Sequence, residues 1–212
     1  MDQTNPPPDC PLCPRLVAFR EDARAQFPDW HNAPVPNWGD TSPRLLIVGL
    51  APGLRGANRT GRPFTGDYAG DLLYATLRKF GLAEGEYGAD PADGMVLRDT
   101  MIVNSVRCVP PQNKPTGPEI NTCRRFLVAT LNASAQAKAI LALGRIAHDS
   151  LLTALGERRA AFPFGHGAEH RLSDGRMLFD SFHCSRYNTN TGRLTTEMFE
   201  DVVGRAAAYI AG

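Results

Sequence analysis

Short apolar runs alternate with longer helical patterns along this chain. Arg44–Leu50 (RLLIVGL) is a compact run containing β-branched residues, and it predicts a strand buried on both faces. Tyr68–Phe80 carries Leu72, Leu73, Ala75, Thr76, Leu77 and Phe80 at helical spacing and stops at Gly81, which predicts a helix. Thr100–Val106 (TMIVNSV) predicts a second strand, unusual for holding Asn104 inside an apolar run. Pro118 suits the first turn of a helix that continues through Phe126, Leu127 and Leu131. Ala137–Leu143 predicts a third strand, broken by Gly144, and Ile146–Leu155 the next helix. His170–Leu172 and Met177–Phe182 flank the turn Ser173-Asp174-Gly175 as a hairpin. Leu194–Ile210 closes the chain as an amphipathic helix, with Leu194, Met198, Val202 and Tyr209 along one stripe.

Strands alternating with helices imply an α/β fold. The expectation is one domain: a central, mostly parallel four-stranded sheet flanked by helices in three α/β/α layers. In such open sheets ligands bind beyond the carboxyl ends of the strands. The loop 51–67 after the first strand, Asn104 near the end of the second and His183 after the last all fall there.

Composition narrows this little. At 212 residues and 42% hydrophobic, the chain can bury one sizeable core. Residues 1–9 are polar and proline-rich, with Asp2 where a leader would need positive charge, and read as a disordered tail before a domain spanning 10–212. No apolar run approaches membrane-spanning length, so a cytoplasmic protein with no membrane partner is expected. The net charge of +1 gives no global reason to bind nucleic acid, so any such binding needs a local patch.

The chemistry lies in four places. Cys10 and Cys13 form a C-x2-C pair, and Cys108 and Cys123 have fourteen residues between them. In a reducing compartment, four convergent thiolates suit a tetrahedral zinc or a 4Fe–4S cluster. The alternative is buried cysteines that pack as small hydrophobes. The loop Ala51–Asp67 holds four glycines and two prolines. It lacks the Gly-Lys-Ser/Thr of a phosphate loop, and so long a shaped loop in a compact domain is usually functional. Within it Phe64 is either a core plug or a face on which a base stacks, and Asp67 is either catalytic or a helix N-cap. His183-Cys184 suggests the H-C-x5-R of a cysteine phosphatase, but the required arginine position holds Asn190, which excludes it. The run Ser185–Arg193 (SRYNTNTGR) is either a solvated connection or a nucleic-acid contact.

Taken together, these segments resemble the uracil-DNA glycosylase superfamily, specifically its family 5. The resemblance rests on GLAPG at Gly49–Gly53, RTGRPFTGD at Arg59–Asp67, VNSVRCVPPQNKP at Val103–Pro115, HCSRYNTNTGRLT at His183–Thr195 and the four cysteines. It implies a DNA glycosylase of base excision repair acting on double- or single-stranded DNA that contains uracil and other deaminated bases such as hypoxanthine. It implies a monomer that carries a 4Fe–4S cluster on Cys10, Cys13, Cys108 and Cys123. Asp67, His183 and Asn104 match the catalytic residues, and Gly49, Ala51, Phe64, Asn104 and His183 the base site. Arg59, Arg62, Ser185, Arg186 and Asn188 are the expected DNA contacts. The first motif has no polar residue where other families place a water-activating Asp or Asn, which shifts that burden to Asp67. Cys184 replaces the usual Pro or Val beside the histidine. Lys114, the nearest motif lysine, reads as a solvated loop residue, so no Schiff base to the sugar is expected. A non-catalytic iron–sulfur DNA-binding module and a hydrolase of free nucleotides are the competing classes.

Overall fold

The computed structural model describes residues 4–212. Four apolar runs become parallel strands: β2 (Leu45–Gly49), β5 (Thr100–Asn104), β6 (Ala139–Leu143) and β8 (Met177–Ser181). Two short antiparallel strands, β1 (Trp38–Gly39) and β7 (Glu169–Arg171), close the edges, so the sheet has six strands in the order β1-β5-β2-β6-β8-β7. The four expected central strands are present, and the hairpin around Ser173-Asp174-Gly175 supplies β7. The other edge was not expected, because two residues carry no readable period. A separate two-stranded ribbon pairs β3 (Ala83–Glu84) with β4 (Val96–Leu97).

Alternation along β2 divides the core. Leu45 and Ile47 join the cluster formed with α3 (Tyr68–Lys79) and α7 (Thr196–Ala211). Leu46 and Val48 face α4 (Gly117–Ala133) and α5 (Arg145–Ala154). Every residue of β2 and β6 is buried, as strands covered on both faces should be. The buried stripe of α7 runs through Phe199, Val202, Val203, Ala206 and Ile210. Leu194 is buried before the helix starts, and Met198 and Tyr209 are only partly buried against the same cluster.

A helix the sequence did not announce, α1 (Pro14–Gln26), follows the first cysteine pair. Its buried positions are Leu16, Arg20 and Ala23, so an arginine interrupts the apolar stripe on which periodicity depends. Two more short helices, α2 (Ala57–Thr60) and α6 (Arg186–Asn190), lie within segments read as loops. Of the expected tail over 1–9, the first three residues lie outside the described residues. Asn5 accepts hydrogen bonds from the Asn37 amide and from the buried Arg107, which ties that segment to the body. Among the described residues no helix is long and apolar enough to cross a membrane.

A buried ion pair fastens the last parallel strand. His148 on α5 is fully enclosed, with Nδ1 2.7 Å from Asp180 Oδ1 and Nε2 2.9 Å from the Phe162 carbonyl oxygen. With Asp180 ionised both partners are acceptors, an arrangement that suits the imidazolium, in which both ring nitrogens donate. Burial alone would lower its pKa, but the hydrogen bond and charge of Asp180 outweigh that and raise it. A raised histidine pKa contributes stability that is full below the unfolded value of about 6.5 and is lost as pH rises through the folded value. Replacing His148 by Gln leaves the buried Asp180 with only the more distant His170, whose Nε2 is 3.6 Å from Oδ2, and should cost roughly 3 kcal/mol at pH 6. Urea midpoints at pH 6 and pH 9 check this: the gap between wild type and variant should narrow at the higher pH, and a constant gap would contradict it.

Candidate active site

The register delivers the site. Gly49 at the end of β2 pairs with Asn104 at the end of β5, and β8 ends two residues before His183. The three strand ends open onto a cleft of about 590 Å³ whose walls include Ala51, Phe64, Asp67, Asn104, His183 and Arg186. A methyl group on Gly49 would lie 2.4 Å from Asn104 Oδ1 and 3.0 Å from the Phe64 ring. Only glycine allows the amide and the aromatic to close over this strand end. Asn104 is buried, and its Oδ1 has no hydrogen-bond partner. A buried unsatisfied acceptor costs stability, so this one, on a residue that lines the cleft, is free to take a donor from outside the chain.

Phe64 is buried and adopts a left-handed backbone with φ 55°. A cage imposes this conformation: Tyr74 Oη donates to the Pro63 carbonyl at 2.5 Å, and Tyr87 Oη donates to the Phe64 carbonyl at 3.1 Å while accepting from the Gly66 amide. The Phe64 and His183 rings stack with centroids 5.8 Å apart and planes 26° apart. Burial pushes the His183 pKa down to about 4, so the imidazole is neutral at physiological pH and offers an N–H without a proton to give away. Asn188 Nδ2 donates to the His183 carbonyl at 2.8 Å and fixes the turn that carries it.

Asp67 stands at the N-cap position of α3, yet its side chain makes no cap hydrogen bond. Its Oδ1 is buried without a hydrogen bond, and its Oδ2 lies where a methyl on Gly56 would come within 2.4 Å. Burial raises its pKa, which the nearby Ala69 and Gly70 amides offset in part. A buried carboxylate that lines the cleft without a cap hydrogen bond favours the chemical reading of this residue over the structural one.

Arg62 departs from its expected place. It is buried, makes two 2.7 Å contacts to the Asp93 carboxylate, donates to Thr65 Oγ1 at 2.6 Å and sits 4.9 Å from the Trp38 ring centroid. Its charge braces the Phe64 loop from inside and is not presented to a ligand. The other expected DNA contacts lie nearer the surface. Arg59 is exposed, and Arg186 is exposed on the cleft rim over the Tyr68 ring. Ser185 lines the cleft while its Oγ accepts from the Asn188 amide. Three further cleft residues escaped the sequence reading: Arg55, Tyr68 and Asn113. Beside the cleft Tyr187 is 72% exposed, and an aromatic inside a polar run was the signal that marked it. No lysine is among the residues lining the cleft, and Lys114 is exposed in the turn after Asn113.

Cys10, Cys13, Cys108 and Cys123 line one small cavity. They converge because Arg15 of α1 grips Glu119 of α4 through two 2.7 Å bonds, while Glu119 also accepts from the Thr116 amide. Arg20 donates to the Cys10 carbonyl, and the Arg107 amide donates to Cys123 Sγ at 3.4 Å. Burial pushes the Cys108 thiol up to about 12 and raises Cys13 and Cys123 as well. Among the described residues no three such side chains are close enough to share a single metal ion. Cys184 is buried elsewhere, with Sγ 3.5 Å from the Ala69 carbonyl oxygen.

Comparison with known proteins agrees with this geometry. Residues 36–206 match the model of the uracil DNA glycosylase superfamily. A type-5 uracil-DNA glycosylase of Thermus thermophilus is 46% identical over 203 residues, covering 93% of this chain and 92% of that one. The type-5 enzymes of Mycobacterium tuberculosis (44% identical, 96% and 78% covered) and Pyrobaculum aerophilum (39% identical, 94% and 88% covered) are similar over most of the chain as well.

Proposed function

The chain belongs to the uracil DNA glycosylase superfamily and groups with its type-5 members, and from that premise we propose how its own side chains remove uracil from DNA. It is an N-glycosyl hydrolase of DNA repair, and the division of labour follows from the cleft. The target nucleotide is extruded from the helix at a cost of a few kcal/mol of stacking and pairing. Phe64 provides an apolar face for the base, and Asn104 reads its edge. The buried, unpartnered Oδ1 of Asn104 carries this reading: it accepts from the base N3–H, while Nδ2 donates to O4.

Cleavage of the C1′–N1 bond leaves positive charge on the sugar and negative charge on the base. His183, neutral because of its burial, donates to the departing base. One donor aimed at developing charge is worth about 10²–10³ in rate. Asp67 accepts a proton from the attacking water and offsets the sugar cation. The absence of a cleft-lining lysine supports hydrolysis that leaves the strand intact. Acceptance of hypoxanthine rests on the family-5 resemblance alone. Arg59 and Arg186 meet the DNA backbone, with Ser185 and Asn188 shaping the turn between them and His183.

A 4Fe–4S cluster, held by Cys10, Cys13, Cys108 and Cys123, would act as a structural crosslink between the N-terminal segment and α4. Four soft thiol donors lining one cavity, in the pattern that the family resemblance assigns to a cluster, support this reading.

Replacing Asn104 by Asp tests the base-reading role. The carboxylate keeps an acceptor but loses the donor to O4 and opposes the charge building there. Single-turnover excision should fall by about 10²-fold with little change in melting temperature. Excision at the wild-type rate would remove Asn104 from the mechanism.

A further inference from the structure

A second opening, of about 400 Å³, shares His183 with the active-site cleft and is also lined by Asn188. Its other walls include Gly144, Arg145, Phe164, Phe182 and Arg193. The Arg193 guanidinium lies 4.5 Å from the Phe182 ring centroid and that of Arg145 5.2 Å from the Phe164 centroid. The two rings are neighbours, with centroids 6.2 Å apart. Both arginines are exposed, and neither side chain has an ion pair or hydrogen bond among the described residues. Arg24, Arg98 and Arg205 each sit on a carboxylate, whereas Arg55, Arg78, Arg158 and Arg186 are exposed without one among the described residues; what sets Arg145 and Arg193 apart is that they stand on neighbouring rings in one opening.

Two like charges on adjacent rings, with no carboxylate between them, repel each other until an anion arrives. Contact with the ring faces holds the guanidinium planes in place, so little freedom is lost when they grip a ligand. A DNA strand whose base enters the main cleft must also leave beside it, and this opening adjoins that cleft at His183. We propose that Arg145 and Arg193 bind a phosphodiester of the damaged strand next to the extruded nucleotide, on the side of His183 away from Arg186. The strand is then held on both flanks of the residue that receives the departing base. This inference rests on the DNA-glycosylase reading above and adds to it two positioning residues outside the base cleft.

The test is equilibrium binding to a duplex carrying a non-hydrolysable abasic analogue, measured across a salt series. Each phosphate contact contributes about 0.9 to the slope of log K against log salt. Arg145→Gln and Arg193→Gln should each reduce the slope by about that amount, and the double variant by about twice as much. Lysine at either position should restore it. Arg176→Gln, before the start of β8 and so at the opposite end of the strands, should leave the slope unchanged. An unchanged slope in the double variant, or an equal fall in Arg176→Gln, overturns the proposal. So does slower excision with no change in slope, because the arginines would then act through His183 alone. A wild-type protein that neither binds this duplex nor excises uracil would instead overturn the underlying function, which keeps the two failures apart.

Discussion

Asp67→Asn should keep DNA binding and lower single-turnover uracil excision by about 10²-fold or more, the scale of a lost general base. The substitution is nearly isosteric, and asparagine caps helices about as well as aspartate. A purely structural Asp67 would therefore tolerate it. The Asp67 side chain makes no cap hydrogen bond, and an asparagine amide oxygen can still face the Ala69 and Gly70 amides that lie near its carboxylate. The pH profile gives a second readout. Burial raises the Asp67 pKa, so the carboxylate is ionised only above a value higher than the ordinary 3.8. Excision by wild type should fall as pH drops through that raised value, because a protonated carboxyl cannot accept a proton from water. The Asn variant should lose this acid limb along with its rate. Wild-type rates at an unchanged melting temperature would shift the catalytic burden to His183.

Cys108→Ser should lose iron and folded, soluble protein together. The Cys108 thiol is pushed up to about 12 by burial and by its neighbouring cysteines, and Cys13 and Cys123 are raised as well, so without metal this cavity gathers protonated thiols that contribute little. Thiolate ligation removes the protons and turns binding energy into folding energy. Serine has no comparable soft donor and leaves an incomplete set. Wild-type protein purified without oxygen should be brown, with about four irons per chain. The variant should lack that absorbance, melt earlier and yield less soluble material. A full iron complement at wild-type stability in Cys108→Ser, or stoichiometric zinc without iron in wild type, would contradict the assignment.

The parallel strands were legible because burial on both faces writes a continuous apolar run, and Asn104 stood out as the polar break in one of them. Convergence of the loop 51–67, Asn104 and the segment at His183 followed from topology before any contact was known. The fate of Arg62 did not. Among several basic residues in one loop, nothing local says which will find Asp93, thirty-one positions away, and be buried against three aromatic rings. The sequence also left open whether Asp67 capped α3, since capping and catalysis place the same residue at the same position; only the direction of its side chain separates them. Helix α1 was hidden because Arg20 occupies a core-facing position that periodicity reserves for apolar residues.

The most direct measurement incubates the purified wild-type protein with a duplex containing one uracil, then compares strands on a denaturing gel before and after alkali. Hydrolysis of the glycosidic bond predicts an intact strand before alkali, cleavage at the uracil position after it, and release of free uracil. Cleavage before alkali, a borohydride-trapped covalent adduct, or turnover of free deoxyuridine nucleotides with no alkali-labile site in DNA would contradict the account.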